Sequence, residues 1–388
     1  MHLQVSEKDV YSFANNATFF RNKDLSTDSG FLFKQKKILH KIKSIDETTE
    51  LNILINYICN FSCSYCYSAK GRSGKSIDRN KLLTTLDFFI NAQKKDKKLQ
   101  VTFSGGGDPL LSFPLLKEAI MHADYLASRY NISIKYGIVT NGTLLNQEVL
   151  EMIKQYNVNL VVSFDVLKDI QNKQRGKYNE VCAGINYLIE NDIYPGIRST
   201  ITPLNVHRMN EMAEEIITGF PALGGIAFEP VLNRSLFKQP ADLKYFYTIF
   251  TDSYFSAYKL GLKNNFYVGN TFVNSAEICK ERACLSKFTL TPEGEITACS
   301  RISSPKEDFY EQFHYGSVTS GNEVMINTKK LQEIMNKNVY RHTTCQSCIA
   351  KWHCSGGCLL ARYAYPPEYF EIHCDFVRNM LVKTLLTV

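Results

Sequence analysis

Residues 51–67 read LNILINYICNFSCSYCY, an apolar run that leads directly into three cysteines. The run Leu51–Tyr57 is short and apolar, which predicts a buried β-strand. Cys59, Cys63 and Cys66 follow on one loop, with three and then two residues between them. Three thiolates can hold three irons of a four-iron cluster and leave the fourth iron open to another ligand. A structural zinc site is the alternative, but such sites generally bring a fourth Cys or His at a paired spacing, and none lies nearby.

Strand and helix patterns alternate along the chain after this stretch. Further strands are predicted at Leu99–Ser104, Ile132–Val139, Asn159–Asp165, Ile193–Ile201 and Gly225–Pro230. Apolar residues at helical spacing predict helices at Asp78–Ala92, Phe113–Tyr130, Asn146–Gln155, Lys177–Glu190 and Val206–Ile217. This order favours an α/β fold with a parallel sheet, right-handed crossovers and functional loops at the C-terminal ends of the strands.

The length and the cysteine distribution predict more than one unit. A chain of 388 residues is too long for one small core. The alternation stops after about Leu236, a helical pattern covers Ala241–Gly261, and cysteines crowd between Cys279 and Cys374. We therefore predict an N-terminal appendage at 1–50, a barrel at 51–268 and a cysteine-rich domain at 269–388.

Composition and charge exclude several classes of protein. Residues 1–10 carry charges without an apolar core, and no window reaches the 18 apolar residues of a membrane span, so we expect a cytoplasmic protein without a membrane anchor. The net charge is +7, but the lysines are scattered apart from local clusters at Lys34–Lys43 and Lys94–Lys98, which are typical of solvated surfaces rather than nucleic-acid sites. Twelve cysteines in a chain without an export signal indicate bound metal rather than disulfides.

The three-cysteine loop, with Tyr67 directly after it, resembles the CxxxCxxC signature of the radical S-adenosylmethionine (SAM) superfamily. The segment Ser104–Pro109, which reads SGGGDP, resembles the family's GGEP segment with Asp in place of Glu, and Thr140–Thr143 resembles its ribose-facing loop. The resemblance implies a partial (β/α)6 TIM-like barrel. It also implies a SAM site formed by Tyr67, Gly106, Gly107, Asp108, Asn141, Ser163, Arg175 and Arg198. Taken singly, each of these residues is equally typical of a turn, a cap or a surface.

The C-terminal cysteines resemble the SPASM domain, the extension of radical SAM enzymes that modify peptides and proteins. The match holds at every gap and includes Gly294 between Cys284 and Cys299. The resemblance implies two auxiliary four-iron clusters, one bound by Cys279, Cys284, Cys299 and Cys358 and the other by Cys345, Cys348, Cys354 and Cys374. A zinc ribbon is the alternative for the second half of this pattern, but it leaves four cysteines needing another site. Cys182 lies in a helical pattern and is predicted to be a core residue.

The resemblance implies a radical SAM oxidoreductase with three 4Fe-4S clusters. In such enzymes the reduced first cluster splits SAM and yields a 5′-deoxyadenosyl radical, which abstracts hydrogen from unactivated carbon. An electron donor such as flavodoxin or ferredoxin is a further expected partner. No side chain is assigned as a catalytic acid or base.

The substrate is expected to be a ribosomally made precursor peptide. Sulfatase maturases carry an aspartate directly after the cysteine that matches Cys299, whereas Ser300 and Arg301 follow here. This departure favours a maturase that forms an oxidative carbon–carbon or thioether cross-link. The roughly 50 residues before the first strand are few for the leader-binding domain of many relatives, so leader recognition needs another surface, such as Lys34–Lys43, or a separate protein. The open alternatives are sulfatase-maturase-like modification, small-molecule radical chemistry and a non-catalytic iron–sulfur or zinc-binding regulator.

Overall fold

The computed structural model describes residues 45–276, 278–284 and 287–387, together with the backbone of five short strands before residue 45. The side chains of those five strands and of Ile278 and Cys279 lie outside the described part. The described strands are β1 His2–Gln4, β2 Val10–Phe13, β3 Phe19–Asn22, β4 Phe31–Leu32, β5 Lys36–Lys37, β6 Glu50–Ile53, β7 Lys98–Phe103, β8 Ser133–Thr140, β9 Asn159–Ser163, β10 Gly196–Ile201, β11 Gly225–Pro230, β12 Tyr267–Gly269, β13 Ile278–Cys279, β14 Phe288–Leu290, β15 Glu295–Thr297, β16 His314–Val318 and β17 Val324–Ile326.

The described α-helices are α1 Arg79–Phe89, α2 Phe113–Tyr130, α3 Gln147–Gln155, α4 Lys168–Gln174, α5 Tyr178–Ile189, α6 Met209–Gly219, α7 Pro240–Lys263, α8 Thr271–Asn274, α9 Tyr310–Phe313, α10 Thr328–Met335, α11 Lys351–Cys354, α12 Leu359–Ala364 and α13 Pro367–Thr387. Local sequence sets several of their ends. The Asp78 carboxylate accepts a hydrogen bond from the amide of Lys81 and begins α1, and Asn131 in the left-handed conformation ends α2.

The parallel strands β6 to β12 lie side by side in chain order, with helices between them. The core-facing residues Ile53, Val101, Ile138 and Val162 are completely buried, and burial of each such side chain stabilises the fold by about 1.5–3 kcal/mol. The predicted α/β class and partial barrel are confirmed. The sequence pattern missed α4, since it is short and mostly polar, and β12, which adds a seventh parallel strand.

A four-stranded extension continues the barrel sheet into the cysteine-rich region. β14 pairs with β6 in parallel, and β15, β16 and β17 follow in antiparallel order, so that eleven strands form one sheet. Strands of three to five residues leave too little alternation for the sequence to predict them. The division at residue 268 stays a prediction, because one sheet runs through both regions.

The two longest helices pack against each other beside this sheet. The ring of Phe376 on α13 lies parallel to the ring of Tyr247 on α7, with 4.1 Å between centroids. At the other end of the chain, β1 to β4 form an antiparallel sheet, and β5 pairs with β13. Of the predicted Lys34–Lys43 cluster, only residues 36 and 37 belong to a described strand. Among the described residues, no helix combines the length and apolar character that a membrane crossing needs.

Candidate active site

A cavity of about 400 Å³ lies where the barrel strands end. It is lined by every residue that the sequence predicts for the first cluster and for SAM, namely Cys59, Cys63, Cys66, Tyr67, Gly106, Gly107, Asp108, Asn141, Ser163, Arg175 and Arg198. These residues come from six segments spread over about 140 positions of the chain, and the parallel order of the strands brings them to one place.

The three-cysteine loop is held from two sides. Its own backbone turns back at Cys66, whose amide donates to the carbonyl of Cys63 at 3.1 Å. The Asn60 side chain lies between two groups of the loop after β8, accepting from Asn141 at 2.8 Å and donating to Thr143 at 2.9 Å. This anchoring keeps the thiols at the cavity wall. Burial raises the pKa of the Cys63 and Cys66 thiols, so iron binding there would release protons.

Two arginines bring positive charge to the same wall. Arg175 donates to the hydroxyl of Tyr65 at 2.9 Å, and Tyr65 donates to the buried Asp165 at 2.7 Å. Arg72 donates to Cys66 Sγ at 3.2 Å. The Nε–H groups of Arg72 and Arg175 are both buried without a hydrogen-bond partner. A buried unpaired donor costs about 1–3 kcal/mol, and a bound carboxylate or an anionic cluster is the kind of group that would offset this cost.

The glycine-rich loop after β7 has a shape that only glycine permits. Gly105 and Gly106 have φ values of 93° and 68°, in the left-handed region. A Cβ atom on Gly107 would lie 1.9 Å from the carbonyl oxygen of Ile58, so this loop packs directly against the start of the cysteine loop. The bare backbone leaves room for a ligand to approach closely. The donor set and the glycine loop therefore fit a cluster with SAM beside it.

The side chain of Asp108, predicted as a SAM contact, makes its hydrogen bonds to other protein groups. Its carboxylate accepts from Thr140 Oγ1 at 3.0 and 2.9 Å, from the amide of Asn141 at 2.7 Å and from the amide of Leu110 at 3.1 Å. It is 3% exposed, and burial raises its pKa against these hydrogen bonds, which lower it. The carboxylate thus ties the glycine loop to the loop after β8, and the residue borders the cavity without a free side chain.

Further lining residues of the cavity come from later strands and from the segment after Cys299. Ser163 and Arg198 are register partners on β9 and β10. Arg301 lines the cavity with its guanidinium carbon 5.7 Å from the Tyr67 ring. Three further residues of this site, Tyr65, Arg72 and Arg301, were not predicted from the sequence. Tyr65 lies inside the cysteine motif, so the motif could have indicated it. The two arginines are brought to the site by tertiary structure.

The C-terminal cysteines line two further cavities in the predicted sets. A cavity of about 30 Å³ is lined by Cys284, Cys299 and Cys358. Another of about 510 Å³ is lined by Cys345, Cys348, Cys354 and Cys374. The side chain of Cys279 lies outside the described part. Cys182 lies on α5, apart from the residues that line these cavities.

Three thiols of these sets have raised pKa values. Burial raises the pKa of Cys299 and of Cys354 to about 12 and the pKa of Cys374 to about 11. These thiols are therefore protonated without metal at neutral pH, and cluster assembly must displace their protons. Among the described residues, no three His, Cys, Asp or Glu side chains are grouped closely enough to chelate a single metal ion.

Comparisons with known proteins identify one domain of this chain. Residues 53–217 match the radical SAM superfamily. The radical SAM cyclopropyl synthase TigE of Paramaledivibacter caminithermalis is 21% identical over 386 aligned positions, which cover 91% of this chain and 77% of TigE. The uncharacterised protein MJ0907 of Methanocaldococcus jannaschii is 30% identical over 179 positions, and the match spans 45% of this chain and only 60% of that protein.

A solved structure shares the fold. Native anSMEcpe with bound AdoMet and Kp18Cys peptide aligns with a TM-score of 0.69 at 17% identity, over 87% of this chain and 98% of that one. This likeness concerns the fold, whereas the sequence match over residues 53–217 is to the superfamily that the cysteine loop resembles. Residues 53–217 therefore form a radical SAM domain, and the chain has relatives of the SPASM and anaerobic sulfatase-maturase type.

Proposed function

We propose that this protein is a radical SAM maturase that forms an oxidative carbon–carbon or thioether cross-link in a ribosomally synthesised peptide. One observation carries the proposal. The three-cysteine loop, the glycine loop and the segment directly after Cys299 line the same cavity. The proposed site of radical formation therefore lies close to Cys299, a proposed ligand of an electron-accepting cluster.

The proposed cofactors are SAM and three 4Fe-4S clusters. Cys59, Cys63 and Cys66 would hold the first cluster. The auxiliary clusters would take Cys279, Cys284, Cys299 and Cys358 in one set and Cys345, Cys348, Cys354 and Cys374 in the other. When bound, the first cluster and SAM supply a carbon radical that removes a hydrogen atom from an unactivated position.

The chain's own residues orient SAM and shield the reaction. Arg175 has a buried N–H without a partner and Ser163 faces the same cavity, so we assign them to the methionine carboxylate, with Arg198 as the neighbour on β10. Gly106 and Gly107 let the amino end of SAM approach the backbone. The cavity walls keep water away from the reacting carbon.

A cross-link requires that the peptide lose two hydrogens. One leaves as a hydrogen atom and becomes part of 5′-deoxyadenosine. The other leaves as a proton when the new bond forms, and one electron remains to be accepted. Cys299 directly precedes Ser300 and Arg301, which line the cavity, so an auxiliary cluster held by Cys299 would lie close to the reacting peptide and would accept that electron.

The relatives support a peptide as substrate. The anSMEcpe structure contains a bound peptide. Sulfatase maturation is disfavoured because Ser300 and Arg301 line the cavity where a sulfatase maturase carries its aspartate base. A low-potential donor such as flavodoxin or ferredoxin and a separate leader-binding protein complete the proposed partners.

Anaerobic coexpression with each short open reading frame beside the gene tests this function. Mass spectrometry of the peptide should reveal a loss of two hydrogens, and fragmentation should locate a link between two residues. The Cys59→Ala, Cys63→Ala, Cys66→Ala variant should leave the peptide unchanged. Formylglycine produced from a sulfatase peptide, with all neighbouring peptides unmodified, would contradict the proposal.

A further inference from the structure

Arg362 lies between the two C-terminal cysteine sets. It sits on α12, one turn after Cys358, and its amide donates to the carbonyl of Cys358 at 3.0 Å. Among the described residues, only Arg362 and Gly356 line both the cavity of Cys284, Cys299 and Cys358 and the cavity of the other set. One guanidinium group therefore borders both proposed auxiliary clusters.

The Arg362 side chain is fixed in this position by three contacts. Its Nε donates to the carbonyl oxygen of Gly356. Its Nη2 lies 3.6 Å from Cys345 Sγ, and its guanidinium carbon lies 4.4 Å from the centroid of the Phe370 ring. No ion pair joins Arg362 to an Asp or Glu of the described residues. Its charge is thus available to the sulfur ligands.

Arg362 places its positive charge beside both cysteine sets. On one side, Arg362 lines the cavity of Cys345, Cys354 and Cys374, and its Nη2 lies 3.6 Å from Cys345 Sγ. On the other side, Arg362 lines the cavity of Cys284, Cys299 and Cys358, and its amide donates to the carbonyl of Cys358. A cation stabilises whichever nearby group becomes more negative.

Reduction makes an iron–sulfur cluster more negative, and hydrogen bonds and charges near the sulfurs set its potential. We propose that Arg362 is a positioning residue that acts through the cysteine ligands of both auxiliary clusters and makes both easier to reduce. This inference rests on the cluster content proposed above. In this proposal, one side chain affects the reduction potentials of both auxiliary clusters.

Three arginines allow a matched test. Arg282 lines only the cavity of Cys284 and Cys299, and Arg378 lines only that of Cys345 and Cys348. Midpoint potentials are measured by EPR-monitored redox titration of the reconstituted full chain carrying Arg362→Gln, Arg282→Gln or Arg378→Gln. The two auxiliary signals are assigned with Cys284→Ala and Cys348→Ala variants.

Arg362→Gln should lower the reduced-to-oxidised ratio of both auxiliary clusters about tenfold at a fixed potential, which is about 59 mV for a one-electron couple. Arg282→Gln and Arg378→Gln should each shift one cluster, and the SAM-binding cluster should not move. Arg362→Lys keeps the charge and should shift both clusters by less. If Arg362→Gln does not load iron, the potentials of Arg362→Lys are compared with wild type instead. A small downward shift of both clusters supports the role of Arg362, and no shift or a shift of only one cluster contradicts it.

Full iron content with neither or only one potential shifted would overturn the role of Arg362 and leave the proposed function intact. Wild-type protein without any auxiliary-cluster signal would overturn the cluster assignment and this inference together. Iron analysis of each variant separates the two results.

Discussion

At the scale of single residues, Asp108 has its carboxylate fully engaged. Both oxygens accept hydrogen bonds, one from Leu110 and the other from Asn141, and Thr140 donates to each. A carboxylate has acceptors only, whereas an amide replaces one oxygen by a donor. The hydrogen bonds of Asp108 therefore require an ionised carboxylate and not only a side chain of the same shape.

We predict that Asp108→Asn weakens SAM binding about tenfold. One backbone N–H in this buried site would face the new NH2 group, which costs about 1–3 kcal/mol, and 1.4 kcal/mol is a factor of ten in affinity. Equilibrium dialysis of the anaerobic, reconstituted protein measures the change. Asp169→Asn is the control, because Asp169 pairs with Arg208 on the surface. Equal SAM affinity in wild type and Asp108→Asn would contradict this role.

The sequence predicted the residues that bring unusual chemistry and missed those placed by packing. The resemblance of the cysteine spacing to the SPASM domain predicted two C-terminal sets, and described members of each set line one cavity. Arg72 and Arg301 escaped because an isolated arginine looks the same at a surface and at a site. Asp108 was predicted as a SAM contact, and its hydrogen bonds to Thr140 and Asn141 could not be read from a segment 30 residues away.

At the scale of elements, helix α5 supports the loop after β8 from behind. A Cβ atom on Gly184 in α5 would lie 1.9 Å from the carbonyl oxygen of Gly142. Gly142 follows Asn141, which lines the cavity. A glycine that does not itself line the cavity thus fixes how closely the helix approaches a loop of the site.

We predict that Gly184→Ala lowers the melting temperature and weakens SAM binding. Alanine favours an isolated helix by about 1 kcal/mol, but overpacking costs about 1–3 kcal/mol, and here the obstacle is backbone that must move. Thermal unfolding and SAM dialysis measure both effects. Gly219→Ala on α6 is the matched control, since its new Cβ would meet only the Glu215 side chain at 3.5 Å. A stabilised Gly184→Ala protein with normal SAM affinity would refute the support role.

Elements with clear periodicity were predicted well, and short ones were not. The predicted ends of α2 agree with the structure, because its apolar face repeats over 18 residues. β6 ends at Ile53, earlier than predicted, since Leu54 donates instead to the carbonyl of Leu290. That partner lies more than 200 residues away, beyond any local pattern.

At the scale of the whole molecule, Phe288 on β14 joins the barrel to the cysteine-rich region. It is completely buried, and its ring centroid lies 5.6 Å from that of Phe89 on α1 and 6.4 Å from that of Tyr315 on β16. β14 also hydrogen-bonds to β6. Loss of this side chain therefore affects both regions.

Phe288→Ala should reduce the free energy of unfolding by about 3–5 kcal/mol. Hydrogen exchange followed by mass spectrometry should show faster exchange in β6, α1 and β15 together, because one sheet and one core connect them. Met325→Ala on β17 is the control, as that side chain is 56% exposed and its loss should have little effect. Faster exchange confined to β15 and β16 would indicate that the barrel does not depend on this contact.

The central claim is that Cys59, Cys63 and Cys66 support radical chemistry on SAM. Its most direct test is 5′-deoxyadenosine release from the anaerobically reconstituted, reduced protein, beside the Cys59→Ala, Cys63→Ala, Cys66→Ala variant. We predict release from the wild type and none from the variant, although the variant keeps the iron of its C-terminal cysteine sets. No release from fully loaded wild-type protein with SAM bound, or equal release from the variant, would contradict the claim.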